Sequence, residues 1–187
     1  QIAGEYGLEI YYNAPVICIE NIEQKEKTDG DFLVSLCEDY GLYVKLYFGK
    51  IVIYDVGWIE DSTPVIPVKI SDFSDWTYNA TLSGTYTGAQ IKYTNGNDNK
   101  EIMLFVGEGN RILNISEKVD SLADAQLKIC AKVNQENRKA ETITGTIAGD
   151  FRIIAGTCIE ITDAFVANGK YFVDKVTHHI KDKEFYV

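Results

Sequence analysis

The chain has 187 residues and a formal net charge of −10, a length that suits one domain or two small ones, each with its own core. No apolar run approaches the roughly 18–20 residues a membrane-spanning helix needs, and Gln1-Ile2-Ala3-Gly4-Glu5-Tyr6 is not a basic-then-apolar signal segment. Residues 1–62 carry 12 acids against 4 Lys, and the rest carry 16 acids against 14 bases. Phosphate backbones would meet repulsion in the first part and no basic stripe in the second, which argues against direct nucleic-acid binding.

In chain order, residues 1–6 read as the last turn or two of a helix and, lacking an initiator Met, as the start of a fragment of a longer protein. Leu8 to Ile19, around Pro15, reads as extended. Thr28-Asp29-Gly30-Asp31 is a helix start, with Thr28 as N-cap and Asp31 at the third helical position. Phe32, Leu33, Leu36, Cys37 and Tyr40 then fall on one face, and Gly41 ends the helix. Leu42 to Tyr47 and Lys50 to Asp55 are β-branched and aromatic runs about a tight turn at Phe48-Gly49, a hairpin. Asp61-Ser62-Thr63-Pro64 is the best domain boundary, since a polar turn ending in Pro interrupts a strand. Residues 1–62 are thus expected to be an N-terminally truncated α/β domain, and residues 63–187 a second domain.

The second part is mostly β in character. Trp76 to Tyr86 and Ala89 to Tyr93 read as strands about Thr87-Gly88. Thr94 to Asn99 is a strong turn signal, followed by a strand over Glu101 to Val106. One substantial helix is expected from about Leu122 to Lys139, opened by Ser121 and Asp124. Its narrow apolar stripe is Leu122, Ala125, Ile129, Cys130 and Val133, and its other face stays wet. Glu141 to Gly149, Thr157 to Thr162 and Gly169 to Ile180 read as strands, with a turn at Asn168-Gly169. The 12 Tyr residues suit half-buried strand faces that meet other proteins.

Residues that often carry chemistry fall into patterns that do not support it. Cys18, Cys37, Cys130 and Cys158 form no closely spaced pair of the kind zinc sites use. Cys37 and Cys130 on apolar helix sides, and Cys158 in a strand, read as buried free thiols. His178 and His179 are adjacent in a strand and so point to opposite faces. Glu38-Asp39 and Glu60-Asp61 sit at a helix end and in a turn, where acids are commonly solvated, rather than across a glycosidase cleft. Gly107-Glu108-Gly109 lacks the register and the lysine of a phosphate cradle. Trp58, Trp76 and Tyr78 are aromatics that could stack on a sugar ring, although core or interface burial is the commoner fate of such residues. No catalytic, cofactor or metal residue is assigned, and the chain is not expected to be an enzyme.

Two segments resemble a known family. One is Thr28-Asp29-Gly30-Asp31-Phe32-Leu33-Val34-Ser35-Leu36-Cys37-Glu38-Asp39-Tyr40-Gly41-Leu42-Tyr43, continuing through Gly49-Lys50-Ile51-Val52-Ile53-Tyr54. The other runs from Gly149-Asp150 through Ile154-Ala155-Gly156-Thr157 and Asn168-Gly169-Lys170-Tyr171-Phe172-Val173 to Val176-Thr177-His178. In order and spacing they resemble the phage late control protein D and PBSX-prophage-type tail hub family, relatives of the hub part of type VI secretion spikes. The family's N-terminal barrel has no counterpart here, which again suggests a fragment.

The resemblance implies a mainly β (α+β) fold. A small β-barrel domain with a helix-containing insertion at about 96–140 would follow part of an α/β domain. It implies a structural baseplate hub of a phage tail or other contractile injection system, joining the tail tube to the spike or tip. Its partners would be tube, spike, baseplate or tape-measure proteins, with a homotrimer in the full-length assembly; charge and hydropathy add the expectation of no direct sequence-specific nucleic-acid contact and no membrane. It would sit in the virion tail after synthesis in the bacterial cytoplasm. Two rival expectations are a carbohydrate-binding adhesin module, which predicts a row of exposed aromatics, and a cell-wall hydrolase domain, which predicts an essential carboxylate.

Overall fold

A computed structural model describes residues 1–19, 22–94, 101–119, 121–181 and 184–187. In chain order its elements are α1 (Ile2–Glu5), β1 (Glu9–Asn13), α2 (Asp29–Asp39), β2 (Leu42–Tyr47), β3 (Lys50–Asp55), α3 (Val56–Asp61), β4 (Pro67–Lys69) and β5 (Phe73–Ala80). They continue with β6 (Gly88–Thr94), β7 (Glu101–Gly107), β8 (Ile112–Ile115), α4 (Leu122–Arg138), β9 (Glu141–Ile147), β10 (Cys158–Thr162), β11 (Gly169–Phe172), β12 (His179–Lys181) and β13 (Glu184–Tyr186). Single 3-10 turns cover Ile70–Asp72 and Phe165–Ala167. The chain packs as two units. One is Gln1–Asp55 with Thr81–Ala140, and the other is Val56–Ala80 with Glu141–Val187. These breaks stand beside the boundary expected at 62/63 and the insertion expected at about 96–140.

In the first unit β3 is the middle strand, parallel to β1 and antiparallel to β2. The parallel pair needs a crossover, and α2 supplies it. Thr28 Oγ1 accepts from the Asp31 amide (3.2 Å) and donates to its carboxylate (2.8 Å), so the helix start forms as its residues dictate. Cys37 and Tyr40 of the α2 segment pack on Leu42, Ile51 and Ile53 of the sheet. Gly41 ends the helix at φ +69°, and a Cβ there would stand 3.4 Å from the Ala131 methyl, so the two helices approach closely.

A second three-stranded sheet, β7-β6-β8, belongs to the same unit. Ala89 and Ile91 of β6 are fully buried against Ala125 and Ile129 of α4. Ser121 caps α4 by accepting from the Asp124 amide at 3.1 Å. The side chain of Asn137 pairs with the backbone of Tyr86 in both directions, at 2.7 and 2.9 Å, and pins residues 81–87. This segment is a turn rather than the strand expected up to Tyr86, because Leu82-Ser83-Gly84 breaks the run and Gly84 takes φ +79°. The turn expected after Thr94 lies outside the described residues.

The second unit is where a closed barrel was expected, and none forms among the described residues. Its strands make two arcs. One is β4-β10-β11. The other joins β5 to β9, and β9 to the antiparallel β12-β13 pair through the Ala148–Tyr186 bridge and reciprocal Ile147–Val187 backbone hydrogen bonds of 2.7 and 3.0 Å. The strands that end the arcs are short: β4 and β12 have three residues each, and Pro67 of β4 has no N–H to donate. The strand expected from Gly169 to Ile180 is likewise split, ending at Phe172 and resuming at His179. Val68, Ile153 and Ile161 form the core beneath, with Tyr78 and Tyr171 packed on it. Gly145 is obligatory in β9, since a Cβ would lie 2.5 Å from the Phe73 ring.

Candidate functional site

Several of the residues weighed for chemistry have a local structural partner. His178 Nε2 lies 3.1 Å from the Ile153 carbonyl oxygen, and its ring stacks near Phe151 and Phe185. His179 stacks instead on Tyr186, so the pair does not converge. Asp39 is held by Lys132 at 2.9 Å, and Lys132 also meets Glu117 at 3.2 Å. Burial would lower the Lys132 ammonium, but these two carboxylates outweigh it and raise its pKa. The carbonyl oxygens of Glu60 and Ser62 accept from Lys170. Gly107 and Gly109, at φ +101° and +87°, form the tight return after β7, where a Cβ on Gly107 would strike the Thr87 carbonyl. Among the described residues, no three His, Cys, Asp or Glu side chains gather as metal ligands would.

All four cysteines are free. Cys37 and Cys158 are buried as their patterns imply, and burial pushes the Cys37 thiol up to about 11. Cys130 departs from its expected place on the apolar side of its helix: it is exposed, as is Cys18. The buried line on α4 runs through Ala125, Ile129 and Ala131 with Asp124. Of the aromatics, Tyr78 packs against the second unit's core, whereas Trp58 and Trp76 are largely exposed.

Apolar surface presented to solvent is what these units hold ready, and it concentrates at strand edges and loop tips. β1 is exposed along its whole length, with Ile10, Tyr11 and Tyr12 in succession. Met103 and Phe105, two apart on β7, share that sheet's outer face. Two tips are unusual in their backbone. The β2–β3 turn places both Phe48 and Gly49 at positive φ (47° and 71°), the geometry of a type I′ hairpin that favours Asn-Gly. Phe48 is 85% exposed there, its ring edge-on to Tyr47. In the second unit Phe165, at φ +53°, is 92% exposed beside Val166, which is also open to solvent. Asn168 Oδ1 holds that turn by accepting from the Ala164 amide at 2.7 Å. A phenylalanine in the left-handed region carries strain of about 1–2 kcal/mol, and burying the ring within the unit does not compensate for it. The Phe165 tip was missed in the sequence, where its only signal is an apolar pair between Asp163 and the Asn168-Gly169 turn.

A family model described as YQBQ-like matches residues 38–187. The chain belongs to the YQBQ-like family. The match takes in the hairpin, α4 and the second of the two segments singled out in the sequence, while α1, β1 and most of α2 precede it. Among solved structures, the fold of this YQBQ-like chain is similar to the 43 kDa tail protein of prophage MuSo2 from Shewanella oneidensis, with a TM-score of 0.67 at 14% identity. It is also similar to a tail protein from Neisseria meningitidis MC58, at 0.63 and 14%. A third likeness is to prophage tail protein gp18 from Listeria monocytogenes EGD-e, at 0.59 and 11%. These cover 99%, 88% and 97% of this chain, which in turn spans only 59%, 54% and 59% of theirs. Among curated proteins, none matches the sequence.

Proposed function

We propose that this YQBQ-like chain is a structural component of a phage or prophage-derived tail, and within it part of the baseplate hub that joins the tail tube to the spike or tip. The observation that carries this reading is the backbone likeness, over almost the whole chain, to prophage tail proteins from two different bacteria. The surfaces described above support a contact role: exposed aromatics are the residues that interfaces bury, and open strand edges are what a neighbouring subunit can cover. On this reading no bond is made or broken. Copies of the full-length protein form a trimer through heterologous contacts that close into a ring, and the ring meets tube and spike proteins on its two sides. The assembly is built in the bacterial cytoplasm and resides in the virion tail.

The test is to delete the gene from a lysogen that produces it, induce, and image the particles. The reading expects tails that stall or lack the tip, rescue by the intact gene, and antibody label at the tip of wild-type particles. Intact tips without the protein, or label on the capsid, would overturn it. Native mass spectrometry of the full-length protein reads the trimer separately.

A further inference from the structure

We propose that a groove in the first unit, between α1, β1 and α2, docks an extended segment of a partner protein that carries aliphatic residues at alternate positions and basic residues flanking them. The groove has a volume of about 400 Å³, within the range of sites that bind discrete ligands. Its floor is apolar, with Ile10, Leu33, Leu36 and Ile51, and its rim carries Glu5 and Asp29. Ile10 pairs in register with Ile51, yet Ile51 is buried and Ile10 is more than half exposed. The apolar floor therefore runs out from under α2 into solvent.

The rim is held negative. Asp29 accepts from Gln24 Nε2 at 2.8 Å and from Tyr6 Oη at 3.0 Å. Both donors are neutral, so they fix the carboxylate in place without cancelling its charge. Glu5 accepts from the Gln1 side-chain amide at 3.2 Å. Among the described residues no Lys or Arg side chain lines the groove. Lys25 and Lys50, among the four lysines of residues 1–62, are paired with Glu23 and Glu9. An occupant that satisfies both surfaces brings aliphatic side chains to the floor and cations to the rim. A second copy docking by the same groove would set carboxylates against carboxylates.

The extended conformation follows from β1. It pairs only with β3 among the described residues, and Glu9–Asn13 contains no Pro, Gly or bulge to protect its outer edge. A segment adding to that edge places alternate side chains over the groove, the mode in which main-chain hydrogen bonds give affinity and pockets give specificity. The inference stands whether or not the tail reading holds.

The experiment uses the whole chain with two fluorescein-labelled peptides of about ten residues, both with Leu at alternate positions and Thr between them, one with Lys at both ends (Lys-Leu) and the other with Glu at both ends (Glu-Leu). Binding is read by fluorescence anisotropy, and the contact is mapped by amide NMR shifts. The Lys-Leu peptide is expected to bind, to shift β1 and Phe32-Leu33, and to weaken with salt, while the Glu-Leu peptide does not bind. Glu5→Gln with Asp29→Asn is expected to weaken binding about three- to tenfold, and Glu108→Gln with Asp61→Asn to leave it unchanged. Glu5→Gln alone, on an exposed side chain, repeats the test should the double variant misfold. The proposal is overturned by equal binding of both peptides, by equal weakening in the control pair, or by shifts scattered over the acidic surface. It is also overturned if no peptide binds and the chain instead self-associates through these residues.

Discussion

Asp124 is the charged side chain buried among the described residues. It accepts from the Tyr40 hydroxyl at 2.7 Å and faces Lys128 at 3.4 Å, and it sits in the first turn of α4, where the helix dipole favours an anion. Its place as a helix-start acid was legible from Ser121 and Asp124 alone. Its bond to Tyr40, 84 residues away, was not, because nothing local encodes a tertiary partner. Asp124→Ala leaves the phenol without its acceptor and should cost about 2–3 kcal/mol, read as a lower urea midpoint, with Asp124→Asn between the two. Asp150 is a different case. Fork-like hydrogen bonds from Arg152, at 2.6 to 3.1 Å, hold its carboxyl at about 2. A carboxyl lowered on folding stabilises above its unfolded value near 4 and loses that contribution as pH falls through its folded value. The Tm gap between wild type and Asp150→Asn should therefore persist at neutral pH, narrow below about pH 4 and close near pH 2.

At the scale of elements, the β2–β3 hairpin sets stability against contact. Asn in place of Phe48 suits the left-handed backbone and should stabilise the fold by about 0.5–1 kcal/mol, read in thermal melts. If the ring is an assembly contact, the same Phe48→Asn change should lower tail yield while Tm rises. If yield is unchanged, the ring has no such role. This hairpin, α2 and α4 were legible to within a residue or two because periodicity, caps and turn residues agree there. The short elements were not. α3 and β8 have six and four residues, too few to show a period. The split of the expected Gly169–Ile180 strand was equally hidden, since pairing partners rather than local composition decide where a strand stops.

At the scale of the molecule, the sequence order and the packing order differ. The first unit is built from two stretches separated by residues 56–80, and the second from two separated by residues 81–140. A linear reading favours cuts that leave continuous domains, so it had no means of assigning 81–140 to the first unit. A peptide of residues 1–55 should then melt without a sharp transition, being of marginal size and lacking Asp124, the acceptor of the Tyr40 hydroxyl. Adding residues 81–140 in trans should sharpen the transition, and circular dichroism reads both outcomes.

The four thiols give this interleaved molecule a built-in stopwatch. Cys18 and Cys130 lie open, while Cys37 is sealed in one unit and Cys158 in the other. A maleimide or disulfide reagent should modify two sites at once and two slowly, and the slow pair need not keep the same pace. The lag at Cys37 times the breathing of the first unit and the lag at Cys158 that of the second. The relative looseness of the two halves can thus be clocked in the native chain, without a single mutation.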